Sequence, residues 1–349
     1  MDEMTALDRF RSEVPRPGPD DLRAEEARLM AAISGADPAP ARRVRAGGPG
    51  RVRGRLAIGL AGGLAAAALA AGAVVVSHEP AQRQPEQVTR IMPVAASEVL
   101  TRAADNAGKF PELHPKPGQY LVFESQTMNP AELNTAKGHS RYLERGYRKV
   151  WLPVEGDATK GVIEGKRLSP KPYPGWPIPP EAYQTEPSNG PEKLADFDNR
   201  VEYLRNDYAY TSRLPTDPQK MYEHLYTRLG TGPEADIEAW QRVGSLLTEA
   251  YMPAAQRAAL FRAAAAIPGV TTIDDAVDAA GRKGIAAAKV IGGSRHEYIF
   301  DRRTYRYLGE REVVTDAAKA EAPVGSVLTS TALLKVSVAD RAPQAKPHR

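Results

Sequence analysis

The side chains that could perform catalysis or hold a metal are scattered along this 349-residue chain. None of its six histidines stands at the HxH or HxxxH spacing that brings two imidazoles to one metal ion. The chain has no cysteine, which excludes disulfides, a thiol nucleophile and a cysteine-ligated zinc. Ser245 and Ser294 lack the GxSxG frame of a hydrolase nucleophile. The sequence therefore predicts no enzyme, no cofactor and no metal site.

Three aromatic residues in a proline-rich stretch are the candidates for ligand contact. Residues 169–192 contain eight prolines, and we expect a long surface loop or lid without regular secondary structure there, because proline lacks an N–H donor. Tyr173, Trp176 and Tyr183 lie in this stretch and offer rings on which a sugar or a proline-rich ligand could stack. The alternative is that the three rings pin the loop to a sheet.

Composition and charge describe an ordinary globular protein with added loops. Hydrophobic residues make up 42% and charged residues 26%, while the 29 glycines and 30 prolines exceed the usual share. The net charge of +4 is small for this length, so we expect no nucleic-acid partner.

A membrane anchor is the strongest signal in the sequence. The run from Leu56 to Val76 has no charged side chain, and a helix of this length spans the hydrocarbon core of about 30 Å. Arg51, Arg53 and Arg55 precede it, which predicts a cytoplasmic N-terminus and an extracytoplasmic C-terminal part. A cleaved signal peptide and a buried alanine-rich helix are the alternatives, but the first has a shorter apolar core and glycines weaken the second. We therefore expect a single-pass protein of the cell membrane, with the lipid bilayer as its partner.

The cytoplasmic stub, residues 1–55, contains two short amphipathic stretches and is expected to be mostly flexible. Its largest apolar side chains on the two helical faces are Leu7, Phe10, Leu29 and Ile33. They would contact a cytoplasmic regulatory protein if the stub folds on a partner. Otherwise the stub is a solvated tail that only precedes the topology signal.

The outer part is expected to be a linker at 77–92, one α+β domain at 93–340 and a disordered tail at 341–349. Hydrophobic periodicity and turn residues predict strands first, then helices, then strands again. Helices are expected at 94–107, 217–230, 235–250 and 253–266. Strands are expected at 120–127, 141–153, 162–168, 270–277, 285–291, 296–300, 305–308 and 325–338. This order implies an antiparallel sheet with helices gathered on one face.

Several stretches of this domain carry a resemblance, among them LPTDPQKMYEHLY, DAAGRKGIA, YIFDRRTYRYLGER and VLTSTALLKVSVADRA. The chain resembles a family of actinobacterial single-pass membrane proteins of unknown function. Members are often encoded beside extracytoplasmic-function sigma factors, which implies an envelope sensor or regulator with a sigma factor or similar protein as its cytoplasmic partner. The family brings no catalytic residues. The stub lacks the histidine and cysteine cluster of zinc anti-sigma domains, which argues against direct anti-sigma activity. An extracytoplasmic carrier or structural envelope protein with an apolar groove, similar to lipoprotein carriers, is the alternative function.

Overall fold

The computed structural model describes residues 92, 97–135, 138–183, 188–195, 197–198 and 200–345. The predicted stub, the predicted anchor and all of the predicted linker except Met92 lie outside these residues. The same holds for the predicted partner contacts, topology determinants and anchor ends, namely Leu7, Phe10, Leu29, Ile33, Arg51, Arg53, Arg55, Leu56 and Val76. None of the helices in the described ranges combines the length and the apolar character needed to cross a bilayer.

One antiparallel sheet of nine strands organises the domain, in the order β4-β3-β2-β1-β9-β8-β7-β6-β5. The strands are β1 Tyr120–Thr135, β2 Gly138–Pro153, β3 Val162–Pro172, β4 Ser188–Lys193, β5 Thr271–Val277, β6 Lys283–Ile291, β7 Ser294–Phe300, β8 Tyr307–Val314 and β9 Val327–Ala339. The sheet consists of two meanders, β1 to β4 and β5 to β9, which meet where β1 pairs with β9 and Tyr120 lies opposite Ala339. This confirms the α+β class and the antiparallel sheet.

Most helices lie in two parts of the chain: the residues before β1, and the segment that connects the two meanders. They are α1 Glu98–Asn106, α2 Tyr208–Thr211, α3 Pro218–Leu225, α4 Pro233–Leu247 and α5 Ala254–Ala265, and a single turn, α6 Ala317–Ala320, follows β8. Helix α3 begins where the sequence predicts, since the Asp217 carboxylate accepts a hydrogen bond from the Lys220 N–H and Pro218 takes the first helical position. It ends at Leu225, short of the predicted residue 230.

The main core lies between one face of β6 and β7 and the four longer helices. Tyr298 and Phe300 join this core, whereas Ile299 between them belongs to a separate cluster, as the alternation of a strand requires. Trp240 of α4 stacks on Tyr298 with ring centroids 4.5 Å apart, and the Tyr298 hydroxyl donates to the Trp240 carbonyl at 2.9 Å. A Cβ at Gly244 would clash with the Tyr298 hydroxyl, so α4 needs a glycine there to approach the sheet.

Three strand predictions were wrong. We expected residues 169–192 to lack regular structure, but β3 continues to Pro172 and β4 occupies Ser188–Lys193. Proline is tolerated here because β4 is an edge strand and β3 pairs with β2 across an irregular register near Leu143. Strands β1 and β8 also extend to Thr135 and Val314, well beyond their expected ends at residues 127 and 308.

The predicted disordered tail, residues 341–349, is described as far as residue 345. Ala342 and Ala345 pack against a cluster that contains Val122, Trp151 and Val162. These tail residues therefore cover part of the face of β1 to β3 in the described structure.

Candidate functional site

The structure separates the three aromatic residues of the proline-rich segment. Tyr173 is buried, its ring lies 5.2 Å from the Arg141 guanidinium, and its hydroxyl donates to the Ala320 carbonyl at 3.4 Å. Tyr173 therefore holds the segment against the sheet, as expected if the three rings pin the loop rather than bind a ligand. Trp176 is 36% exposed and meets the His139 ring edge-on, with centroids 5.6 Å apart. Tyr183 is 61% exposed and is the most accessible of these three rings.

Tyr183 lines a cleft, here called the Tyr183 cleft, of about 180 Å³ between the proline-rich segment and strands β2 and β3. Pro180–Tyr183 form a 3₁₀ turn that brings the ring over the sheet, and the buried Ala182 anchors the turn. The remaining polar lining is Tyr142, Glu144, Arg145, Arg167 and Ser169.

The charged groups of the Tyr183 cleft are held in place by the sheet. Arg167 Nη1 lies 3.1 Å from Glu144 Oε1, and Arg145 Nη1 donates to the Ser169 carbonyl at 3.3 Å. Burial raises the pKa of Tyr142, and the negative charge of Glu144 adds to this shift, so the phenol stays neutral at physiological pH. The cleft thus offers an aromatic ring beside a guanidinium–carboxylate pair.

This arrangement can bind but shows no machinery for a reaction. Proton transfer in catalysis needs a nucleophile or base with a pKa near the working pH and within hydrogen-bond reach of its partner. The Tyr183 cleft contains an ion pair and phenols instead. Within the described ranges, no group of three or more His, Asp or Glu residues is placed to hold a metal ion.

A second polar cluster, here called the Glu310 cluster, lies where the end of α4 meets strands β2 and β8. Arg148 Nη2 and Glu249 Oε1 lie 2.9 Å apart and both side chains are largely buried. Thr248 Oγ1 donates to Glu310 Oε1 at 3.5 Å. The Tyr307 hydroxyl is buried and makes no hydrogen bond to any residue that the structure describes.

The carboxyl groups of the Glu310 cluster are poised for protonation. Burial raises the pKa of Glu310 to about 7, and the negative charge of the neighbouring Glu312 adds to the shift. Burial also raises the pKa of Glu249, which Arg148 opposes. Glu249 has a φ of 54°, a left-handed conformation that costs energy for a residue with a Cβ. Strain and desolvated acids of this kind are typical of functional sites, and here they can hold a proton near neutral pH.

Sequence reasoning missed the Glu310 cluster entirely. Arg148, Glu249 and Glu310 are far apart along the chain, and each stands in a stretch whose charges look solvent-exposed. No local signal marked Glu310, because strict alternation places it on the opposite face from Tyr307, three residues earlier. The irregular register near Ile299 and Phe300 brings Tyr307 and Glu310 to one face of β8.

A comparison with models of known protein families finds no match, and a comparison with curated proteins finds none either. The resemblance to an actinobacterial family of membrane proteins therefore stays a prediction.

Proposed function

We propose that this chain is a non-enzymatic, single-pass membrane protein that acts as an envelope sensor or regulator. Its outer domain binds a ligand at the Tyr183 cleft, and its cytoplasmic stub contacts a regulatory protein such as a sigma factor. The observation that carries the proposal is the exposure of the Tyr183 ring beside a fixed ion pair.

The chemistry of the Tyr183 cleft favours a saccharide as the ligand. A sugar ring presents C–H groups that pack on an aromatic face and hydroxyls that bond to charged side chains. A sugar hydroxyl both donates and accepts hydrogen bonds. Glu144 can accept a hydrogen bond from it, and Arg145 can donate one to it. A proline-rich ligand would use the ring, but proline offers no hydroxyl for Glu144 and Arg145 to bond.

The carrier alternative needs an apolar groove with room for a lipid chain. In the described structure, Trp240, Phe261 and Phe300 fill the space between the helices and the sheet. The Tyr183 cleft and a second cleft, beside the turn between β7 and β8, are lined largely by charged and polar residues. The carrier function is therefore our second choice.

Ligand binding is tested with the full chain on an array of envelope-type saccharides. Tyr183→Ala should weaken binding about fivefold or more, since the loss of an aromatic contact costs about 1 kcal/mol. Phe197→Ala is the matched control, because Phe197 is 71% exposed and lies outside the Tyr183 cleft. Equal binding by the wild type and the Tyr183 variant would reject this site.

The stub is tested by replacing Leu7, Phe10, Leu29 and Ile33 together with serine. This variant should lose co-purification of the sigma factor or similar regulator and the downstream transcriptional response, because the apolar contacts are removed. A matched control replaces Arg9, Arg11, Arg23 and Arg28 with serine and should keep both. If the apolar variant behaves like wild type, the stub is only a tail and the carrier function becomes the better proposal.

A further inference from the structure

A second cleft, here called the Arg303 cleft, lies beside the turn that joins β7 to β8. It encloses about 210 Å³, far more than the roughly 10–15 Å³ that one water needs. Its charged lining is Arg282, Asp301, Arg303, Arg306 and Lys335. Four cations thus face one carboxylate.

The acidic groups near the Arg303 cleft are already committed to other partners. Asp301 accepts hydrogen bonds from the Arg303 N–H at 3.1 Å, the Thr304 N–H at 2.7 Å and the Thr304 hydroxyl at 2.7 Å. Asp278 is buried and binds Arg282 Nε at 2.6 Å. Asp278 therefore neutralises Arg282, and the single negative charge of Asp301 cannot balance Arg303, Arg306 and Lys335 together.

These three cations differ from most arginines of the domain. In the described residues, the arginines at 102, 141, 148, 167, 200, 205, 262, 282, 295, 302 and 311 each have a carboxylate within 4 Å. No such pair is formed by Arg303, Arg306 or Lys335 there. Even Arg302, in the same turn, is paired with Asp275 at 2.9 Å. A surplus of positive charge is thus concentrated at one cleft.

Part of the Arg303 cleft is rigid before any ligand arrives. Arg282 Nη2 donates to the carbonyls of Leu308 and Leu333 at 2.8 and 2.9 Å, which fixes its guanidinium between β8 and β9. The Arg306 guanidinium lies 5.9 Å from the centre of the Phe110 ring. Such preorganisation lowers the entropy cost of binding an anion.

We propose that the Arg303 cleft binds a phosphate group, with Arg303, Arg306 and Lys335 as its direct partners. Phosphate is favoured over a single carboxylate because its oxygens can accept hydrogen bonds from several cations, and arginine matches its geometry. The phosphate comes either from a lipid headgroup or from a soluble anion. This site is distinct from the Tyr183 cleft and does not depend on the proposed function.

The test uses the full chain in micelles of a neutral detergent and follows the acylation of lysines by mass spectrometry. Bound phosphate should slow the acylation of Lys335 at least about threefold at constant ionic strength, because it covers the amine. Lys319, which is exposed and lies outside the Arg303 cleft, should react at an unchanged rate. Inorganic phosphate is the soluble probe. Micelles with added phosphatidylglycerol, compared with phosphatidylcholine, are the lipid probe. Protection by either probe supports the site and identifies its source.

Variants assign the effect to the proposed partners. The double variant Arg303→Ala with Arg306→Ala should require about tenfold or more phosphate for the same protection, since each lost charged hydrogen bond costs about that factor. Arg302→Ala is the matched control from the same turn and should behave like wild type. Should the double variant not fold, Arg303→Gln alone serves, because the Arg303 side chain makes no hydrogen bond within the described ranges. The proposal is overturned if sodium chloride protects Lys335 equally, if neither probe protects it, or if the arginine variants keep wild-type protection.

Discussion

The half-buried Glu310 should make the protein less stable as the pH rises. In the folded state its pKa lies at about 7, whereas an unfolded chain ionises glutamate near pH 4.3. Between these values the unfolded state releases a proton that the folded state retains, so raising the pH favours unfolding. The stability contributed by the protonated acid is therefore complete below about pH 4.3 and is lost as the pH rises to 7.

The size of the effect follows from the difference between the two pKa values. A separation of roughly 2.7 pKa units corresponds to about 4 kcal/mol at most, since each unit is worth about 1.4 kcal/mol. Glu310→Gln removes the titrating group while it preserves the size of the side chain and a partner for Thr248. The variant should match the wild type near pH 4.5 and be up to about 4 kcal/mol more stable at pH 8.

Urea unfolding of the full chain at several pH values measures this difference. The tryptophans at 151, 176 and 240 all lie in the described domain, so their fluorescence reports its unfolding alone. Glu98→Gln is the control, because Glu98 is 72% exposed and should change stability by no more than about 0.5 kcal/mol at any pH. A difference between wild type and Glu310→Gln that stays constant from pH 5 to 8 would refute the burial argument.

Two further predictions concern the core. Leu225→Ala should cost roughly 2–5 kcal/mol of unfolding free energy, because Leu225 is fully buried in α3. Glu223→Ala should cost at most about 0.5 kcal/mol, because Glu223 is exposed. Similar losses for the two variants in chemical denaturation would contradict the helix packing. Glu297→Ala should cost about 3 kcal/mol, since it leaves two partly buried arginines without their shared carboxylate. The ion pair of the exposed Asp275 with Arg302 serves as the comparison. A Glu297 loss no larger than that of Asp275→Ala would show that the buried pairs contribute little.

Local patterns in the sequence predicted most of the elements but not how they assemble. Alternation and turn residues located eight of the nine strands, and the cap at Asp217 located the start of α3. The pairing of β1 with β9 joins residues more than two hundred positions apart, and no local signal encodes it. Strand β4 was missed because Pro191 argued against a strand, whereas its edge position removes that objection.

The candidate site was predictable only in part, for a similar reason. The sequence marked the rings of Tyr173, Trp176 and Tyr183 as a group. Their exposure differs in the structure, because each lies against a different part of the sheet. The pattern could not tell the buried Tyr173 from the exposed Tyr183, because both have the same proline-rich surroundings. The Arg303 cleft combines a turn with β9, and such a combination exists only after the meanders have formed.

The location of the domain tests the account most directly, since an extracellular ligand can reach Tyr183 only if the domain lies outside the membrane. The chain has no cysteine, so one introduced cysteine gives an unambiguous label. With a membrane-impermeant maleimide, Lys319→Cys should be labelled in intact cells, and Ser12→Cys only after the membrane is permeabilised. Labelling of Ser12→Cys in intact cells, or protection of Lys319→Cys until permeabilisation, would contradict the account of an outer sensing domain with a cytoplasmic stub.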